Sequence, residues 1–233
     1  MLAFLFVAGG IAFGVVKFAR DPRFALAHVT VSGAARSGAE QVLAAAALAR
    51  GANVWFVDAD AAEQRVAALP WIASARVVRR WPNLVSIVVS ERVPMARLMS
   101  QGPELALVDS EARVLQVGAL LREDERLPLL WLEPALPAVR AGERLESAQL
   151  DGALEAEQRL AALGVRISEI SSEPASGISV TTASRLRVIL GDNDELERKV
   201  TIFLAIAQHI ARPDQVSYVD VRSTSAPTVL YRQ

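Results

Sequence analysis

The chain is 233 residues long, with 25 basic and 26 acidic side chains and a formal net charge of −1, so it carries no electrostatic footprint for nucleic acid. It has no cysteine, which excludes disulfides, thiolate metal sites and thiol nucleophiles; its two histidines, His28 and His209, are far apart and lack a second ligand at metal-binding spacing. No G-x-S-x-G elbow, phosphate loop or H-E-x-x-H run is present, so no enzyme class, cofactor or small-molecule substrate is expected.

The chain opens with sixteen residues, MLAFLFVAGGIAFGVV, that carry no charge and are closed by Lys17. As a helix they would span about 24 Å, or about 28 Å through Ala19, of a hydrocarbon layer about 30 Å thick. Residues 1–19 therefore read as one transmembrane anchor, with Lys17 able to snorkel to the interface. A signal peptide and a buried soluble helix are the other readings. Against the first, no basic residue precedes the apolar core and Lys17-Phe18-Ala19-Arg20-Asp21-Pro22 makes a poor cleavage site. Lys17, Arg20 and Arg23 follow the anchor, and by the positive-inside rule alone they would pull the bulk of the chain into the cytoplasm. With no cytosolic tail ahead of the anchor, Met1 is expected not to be the true start, a basic leader being missing. The remainder, about 215 residues, suffices for one large domain or two small ones.

Residues 24–92 form a first module. Ala25, Ala27, Val29 and Val31 alternate with Leu26, His28 and Thr30, a strand ended by Ser32-Gly33. Ser37, with Glu40 three residues on, has capping-box spacing for a helix whose small face is Val42, Ala45, Ala46 and Ala49, stopped by Gly51. A second helix capped by Asp58 or Asp60 runs to Leu69, and Pro70 closes it. Trp71 opens a strand with Ala73, Ala75 and Val77 on one side; Trp81-Pro82-Asn83 turns the chain. The return strand has Val85, Ile87 and Val89 on one face and Ser86, Val88 and Ser90 on the other. The order is β-α-α-β-β, a three-stranded sheet with two helices on one face.

The run 71–96, WIASARVVRRWPNLVSIVVSERVPMA, resembles the POTRA domain of the bacterial FtsQ/DivIB cell-division family. The resemblance is carried by an ordered set: an apolar leader, Val29-Thr-Val-Ser-Gly33, the Trp71-to-Val77 strand, Arg80, Trp81-Pro82 and the Glu91-Arg92-x-Pro94 exit. Each piece also has a purely structural reading. Trp71 and Trp81 would be core or turn-packing residues, Arg76, Arg79 and Arg80 a solvated sheet edge, and Glu91-Arg92 a polar strand exit.

Pro94 begins the second module, 93–233, with no flexible linker before it. Leu105 to Val108 and Val114 to Val117 read as a hairpin about Asp109–Arg113. The family resemblance implies a glycine where Ala112 stands, so a positive-φ turn is not expected there. Pro128 marks Leu127–Trp131 as an edge strand. A helix over 148–163 aligns Leu150, Leu154, Glu157 and Leu160 and ends at Gly164; strands follow at 165–171, 177–182 and 185–190. A longer helix, 194–211, carries the stripe Leu196, Val200, Phe203, Ala207 and Ile210 until Pro213; His209 in its last turn is local tuning. Asp109, Asp192, Asp194 and Glu195 read as solvated carboxylates in or beside turns. Strands 216–222 and 227–232 close the chain. The segments 186–191, 196–211 and 218–222 again resemble the family, in its second, β-rich region, with Ser223 where an aromatic is common.

The fold class expected is thus α+β: one transmembrane helix, a POTRA domain, then a mixed β-rich domain with a long C-terminal helix followed by terminal strands. The resemblance implies an inner-membrane, single-pass, N-in protein whose POTRA and β regions are periplasmic and septal. It implies a scaffold linking early and late division proteins, with FtsB-like and FtsL-like single-span partners. A POTRA-bearing protein of outer-membrane assembly or polypeptide secretion is the alternative. Extended strands with accessible edges recruit partners by β-augmentation, so Thr228, Val229, Leu230 and Tyr231 are the candidate recruiting edge, with Tyr218, Arg222 and Ser223 as side-chain contributors. Arg222 could offer a forked donor to a partner carboxylate. The competing reading is that 228–231 only closes a core.

Overall fold

The structure, a computed structural model, describes Gly10, Gly14, Lys17, Phe18 and residues 21–232. The anchor expected over 1–19 otherwise lies outside the described residues, and among those described no helix is long and apolar enough to cross a membrane. The chain divides into two compact units, Met1–Arg92 and Val93–Gln233.

In the first unit, β1 (His28–Ser32) leads to α1 (Ala39–Ala46) and α2 (Ala59–Ala67), then to the hairpin β2 (Ile72–Arg80) and β3 (Leu84–Glu91). The sheet order is β1-β3-β2, with β1 parallel to β3 and β2 antiparallel to it. A parallel pair requires a crossover connection, and the two helices supply it. Val29 and Val31 stand beside Val85 and Ile87, and Val77 opposite Ile87, so one face of the sheet is continuous aliphatic surface. Val42 and Ala46 of α1 and Ala62 and Val66 of α2 bury against it. The first strand is shorter than its alternation suggests. Leu26 leaves the strand to become buried, its backbone pairing with Gly51 and Ala52. A register shift between Ile72 and Ser74 turns Ala73 outward, so only Ala75 and Val77 keep the expected side.

The expected capping box does not form. α1 starts at Gly38, and Ser37 is buried with its hydroxyl donating to Glu91 Oε1 at 2.6 Å. The same carboxylate accepts the N–H of Ser37 at 2.7 Å and of Arg36 at 2.9 Å. Glu91 is thus the latch that ties the end of β3 to the loop before α1. Asp58 is the cap of α2, its Oδ1 accepting the Ala61 N–H at 3.0 Å. Trp71 is buried under the Arg36 guanidinium, 4.4 Å from the ring centroid, whereas Trp81 is 47% exposed. Of the three arginines, Arg79 is bound, its Nε and Nη2 donating to the Val57 carbonyl.

Burial disfavours the Glu91 carboxylate, but the hydrogen bonds from Ser37, Arg36 and Ala35 outweigh it and hold its pKa below the usual glutamate value. Its stabilising contribution is therefore present above the ordinary glutamate pKa and is lost as pH falls through the lowered folded value. Glu91→Gln should destabilise the first unit at neutral pH by about 1.5–3 kcal/mol, the range for hydrogen bonds to a charged group. Urea titrations from neutral to acid pH should show the gap to the native chain closing; a constant gap would refute the role given to the charge.

The second unit is one nine-stranded sheet, in the order β12-β11-β10-β9-β8-β7-β4-β5-β6. Its strands are β4 (Pro94–Met99), β5 (Ala106–Asp109), β6 (Val114–Val117), β7 (Leu129–Leu132), β8 (Ile167–Glu173), β9 (Gly177–Thr182), β10 (Arg187–Gly191), β11 (Val216–Asp220) and β12 (Thr228–Tyr231). Helix α3 (Ala148–Ala162) connects the parallel pair β7 and β8, and α4 (Leu196–Ala207) the parallel pair β10 and β11. Leu150, Leu154 and Leu160 of α3 and Leu196, Val200 and Phe203 of α4 bury into the sheet's core.

Two expectations about this unit are corrected. Leu129–Leu132 is a central strand, parallel to both β4 and β8. Pro128 lies just outside it, so the missing N–H removes no ladder bond, and its carbonyl accepts the Arg97 N–H. Ala112 does adopt positive φ, at 56°. The buried Asp109 carboxylate imposes that turn, its Oδ1 accepting the N–H groups of Glu111 and Arg113, both at 2.9 Å. Pro94, expected only as a boundary, opens a strand of its own, β4.

Candidate partner-binding edge

A nine-stranded open sheet has two ends, and the sequence treats them differently. At the β6 end the backbone of 142–145 pairs with the start of the strand and the turn before it: Val114 N–H donates to Glu143 O at 2.8 Å, Gly142 N–H to Val114 O at 2.7 Å and Leu145 N–H to Ala112 O at 2.9 Å. At the other end β12 pairs with β11 alone among the described residues. An antiparallel strand turns alternate N–H and C=O groups away from its neighbour, so β12 keeps a row of backbone donors and acceptors with no ladder partner.

The predicted site residues come together on this β11–β12 hairpin and its connecting turn. Tyr218 stands opposite Leu230, Val219 opposite Val229 and Asp220 opposite Thr228. Val229 packs on the core, while Leu230 and Tyr231 are 48% and 57% exposed. Val229 thus helps close the core, while Leu230 and Tyr231 present apolar surface beside a strand edge with no ladder partner among the described residues.

Arg222 and Ser223 sit in the turn, both exposed. The Arg222 fork is engaged within the chain: Nη2 donates to Asp220 Oδ2 at 2.7 Å, and Nε reaches both carboxylate oxygens at 3.1 Å. Those bonds hold the Asp220 carboxyl below its usual range and raise the Arg222 pKa. The Ser223 hydroxyl meets that of Ser225 at 3.0 Å, and Thr224 Oγ1 donates to Glu195 Oε2 at 3.1 Å. Two supporting features escaped the sequence reading. The Arg222 stem lies over Gly191, where an added Cβ would come within 3.0 Å of Arg222 Cγ. Lys199, buried in α4, donates to Asp192 Oδ1 at 2.6 Å and to the Asp192 carbonyl at 3.0 Å, tethering the loop after β10 to the helix. The hydrogen bond from Lys199 lowers the Asp192 pKa, so this carboxylate is paired, not merely solvated. The expected offer of the Arg222 fork to a partner carboxylate is thus replaced by its pairing with Asp220, which the Asp-x-Arg spacing could have signalled; a lysine flanked by Arg198 and Val200 gives no such signal.

No group of three His, Cys, Asp or Glu side chains is placed to hold a metal among the described residues. His209 lies in the turn just past α4, not in a last helical turn, and its Nδ1 is 2.8 Å from the Ala205 carbonyl.

Two family models match. Residues 24–92 match the FtsQ-type POTRA domain, and residues 96–222 match the C-terminal region of cell division protein FtsQ/DivIB. Among curated proteins, the cell division protein FtsQ of Myxococcus fulvus is 32% identical over 75% of this chain and 61% of its own length. That of Neisseria meningitidis serogroup B is 31% identical over 77% of this chain and 70% of its own. That of Chloroflexus aurantiacus is 28% identical over 97% of this chain and 82% of its own. The match to the Myxococcus protein thus spans about three fifths of that relative.

Proposed function

The chain belongs to the FtsQ/DivIB cell-division family, and from that premise we propose that it is a divisome scaffold. In this reading the apolar leader anchors it in the inner membrane, both units are periplasmic at the septum, and β12 recruits a single-span division protein of the FtsB or FtsL kind. The family match decides against the outer-membrane-assembly alternative, because both matched models are division-protein models. The observation that supports the recruiting role is the asymmetry of the sheet: at one end 142–145 pairs with the start of β6, and at the other β12 is paired on one side only among the described residues.

Backbone bonds to β12 would supply affinity and the Tyr218, Leu230 and Tyr231 side chains selectivity. Arg222 contributes by holding the turn through Asp220. Arg222→Glu would set two carboxylates against each other there, so the exposed Tyr231 is the cleaner probe. Tyr231→Ala should leave stability within about 0.5 kcal/mol, as for exposed positions generally. It should weaken capture of the partner by about tenfold, equivalent to about 1.4 kcal/mol. Removing 228–233 should abolish capture while the first unit melts unchanged. If both variants bind at native strength, recruitment does not run through β12. A C-terminal alkaline phosphatase fusion should be active and a green fluorescent one dark; the reverse pattern overturns the periplasmic placement.

A further inference from the structure

The first unit carries a second exposed feature that recruitment through β12 leaves unused. Phe18, Phe24, Trp55 and Trp81 form one cluster of rings. Phe18 lies 4.9 Å from Phe24 and 5.7 Å from Trp55, Phe24 lies 6.4 Å from Trp81, and Trp55 and Trp81 stack at 3.7 Å. In a core such a cluster would be covered. Here Phe18 is 42%, Trp55 46% and Trp81 47% exposed, and the neighbouring Phe56 is 66% exposed.

Three separate stretches of sequence bring these rings together. Phe18 and Phe24 precede β1, Trp55 and Phe56 sit on the turn Val54–Phe56 between the helices, and Trp81 tips the β2–β3 hairpin. Asn53 secures the arrangement: its side-chain oxygen accepts the Trp55 N–H at 2.8 Å, and its Nδ2 donates to the Phe18 carbonyl at 3.4 Å. An exposed, contiguous patch of large apolar rings marks a contact site.

We propose that this aromatic cluster seats the first unit in the lipid interface of the membrane. The sixteen uncharged residues that begin the chain end at Val16, two residues before Phe18, so the patch continues an apolar sequence of membrane-spanning character. Its composition is that of an interfacial belt, where tryptophan rings sit at headgroup level with an apolar body and a polar edge. Exposed cations flank the rings in sequence, Lys17 beside Phe18, Arg23 beside Phe24 and Arg80 beside Trp81; the Asp21 carboxylate accepts the Arg23 N–H, and Asp60 and Glu63 share the hollow at Trp81 with Arg76 and Arg79. Such cations favour anionic headgroups. The inference rests on reading the leader as a membrane anchor, and it assigns these residues a role the recruiting edge does not: fixing the pose of the first unit against the bilayer.

The test uses the full chain reconstituted in phosphatidylcholine vesicles containing phosphatidylglycerol, with bromines on the upper acyl carbons as quenchers. Two of the four tryptophans belong to the cluster; Trp71 is buried, and Trp131 is hydrogen-bonded to Glu169 at 2.6 Å. Native protein should be quenched, and Trp55→Ser/Trp81→Ser should lose that quenching about threefold or more if interfacial seating is the cause. Trp71→Phe/Trp131→Phe, which keeps the cluster, should be quenched more completely than the native chain. Absence of quenching in protein that resists alkaline extraction overturns the inference while sparing the anchor. Protein that alkali extracts overturns the anchor and the inference together. Equal quenching of the native and Trp55→Ser/Trp81→Ser proteins overturns the inference as well.

Discussion

Val77→Asp should unfold the Met1–Arg92 unit, at a cost of about 3–5 kcal/mol, comparable with much of a small domain's stability. Val77 is 6% exposed and stands opposite Ile87 on the face that packs against the helices. A carboxylate there has no cationic partner supplied by the core. It would also lie close to the Glu63 carboxylate, whose Oε1 accepts the Val77 N–H at 2.7 Å. Protonation would relieve the charge but still leave a polar group among Ile72, Val85 and Ile87. Val88→Asp is the matched control. It introduces the same group on the adjacent strand, at a position 47% exposed on the other face, and should cost no more than about 0.5 kcal/mol. Urea denaturation of both variants, followed by circular dichroism, separates them. Equal stability would put the two residues on the same face, a one-residue error in strand phase.

The residues that carried this prediction were legible because β3 alternates without interruption, so Val85, Ile87 and Val89 point inward as the period of two requires. The same rule failed at Ala73, where a bulge shifts the phase, and a bulge leaves no mark in a run of small residues. Ser37 misled for a different reason. Local spacing made it a cap, but a carboxylate 54 residues away binds it more completely than one helix N–H could. Pro128 shows the cost of ±1 in a boundary: inside a strand it would mark an edge, and one residue before it the strand is free to be central. At the candidate edge, the strand and its exposed residues were legible from β-favouring composition near the chain's end. That 142–145 pairs with the start of β6 at the opposite end of the sheet was not, because backbone pairing across a long loop leaves no periodic signal.

The edge also depends on a contact that composition hides. Gly177 begins β9 at φ 71°, facing the point where β10 shifts register between Ile189 and Gly191. A Cβ there would lie 2.7 Å from Gly191 Cα and 2.6 Å from its carbonyl carbon. Both obstacles are backbone, so no side-chain rotation relieves them. Gly177→Ala should therefore cost about 3 kcal/mol, combining left-handed strain with overpacking. Gly164→Ala isolates the first part: its φ is 78° and nothing lies within 4 Å, so only about 1 kcal/mol of conformational strain is expected. The displaced Gly191 has further neighbours. It lies beneath the Arg222 stem, and the loop it opens is held to α4 by the Asp192–Lys199 pair. Because Arg222 grips Asp220, opposite Thr228, a shift at Gly191 reaches the β11–β12 hairpin through two side-chain contacts. Gly177→Ala should thus weaken partner capture beyond Gly164→Ala when both are assayed at a temperature where each remains folded. If the two variants melt together and bind alike, the close approach of Gly177 to Gly191 is not tight in solution, and the path from β9 to the recruiting edge fails with it.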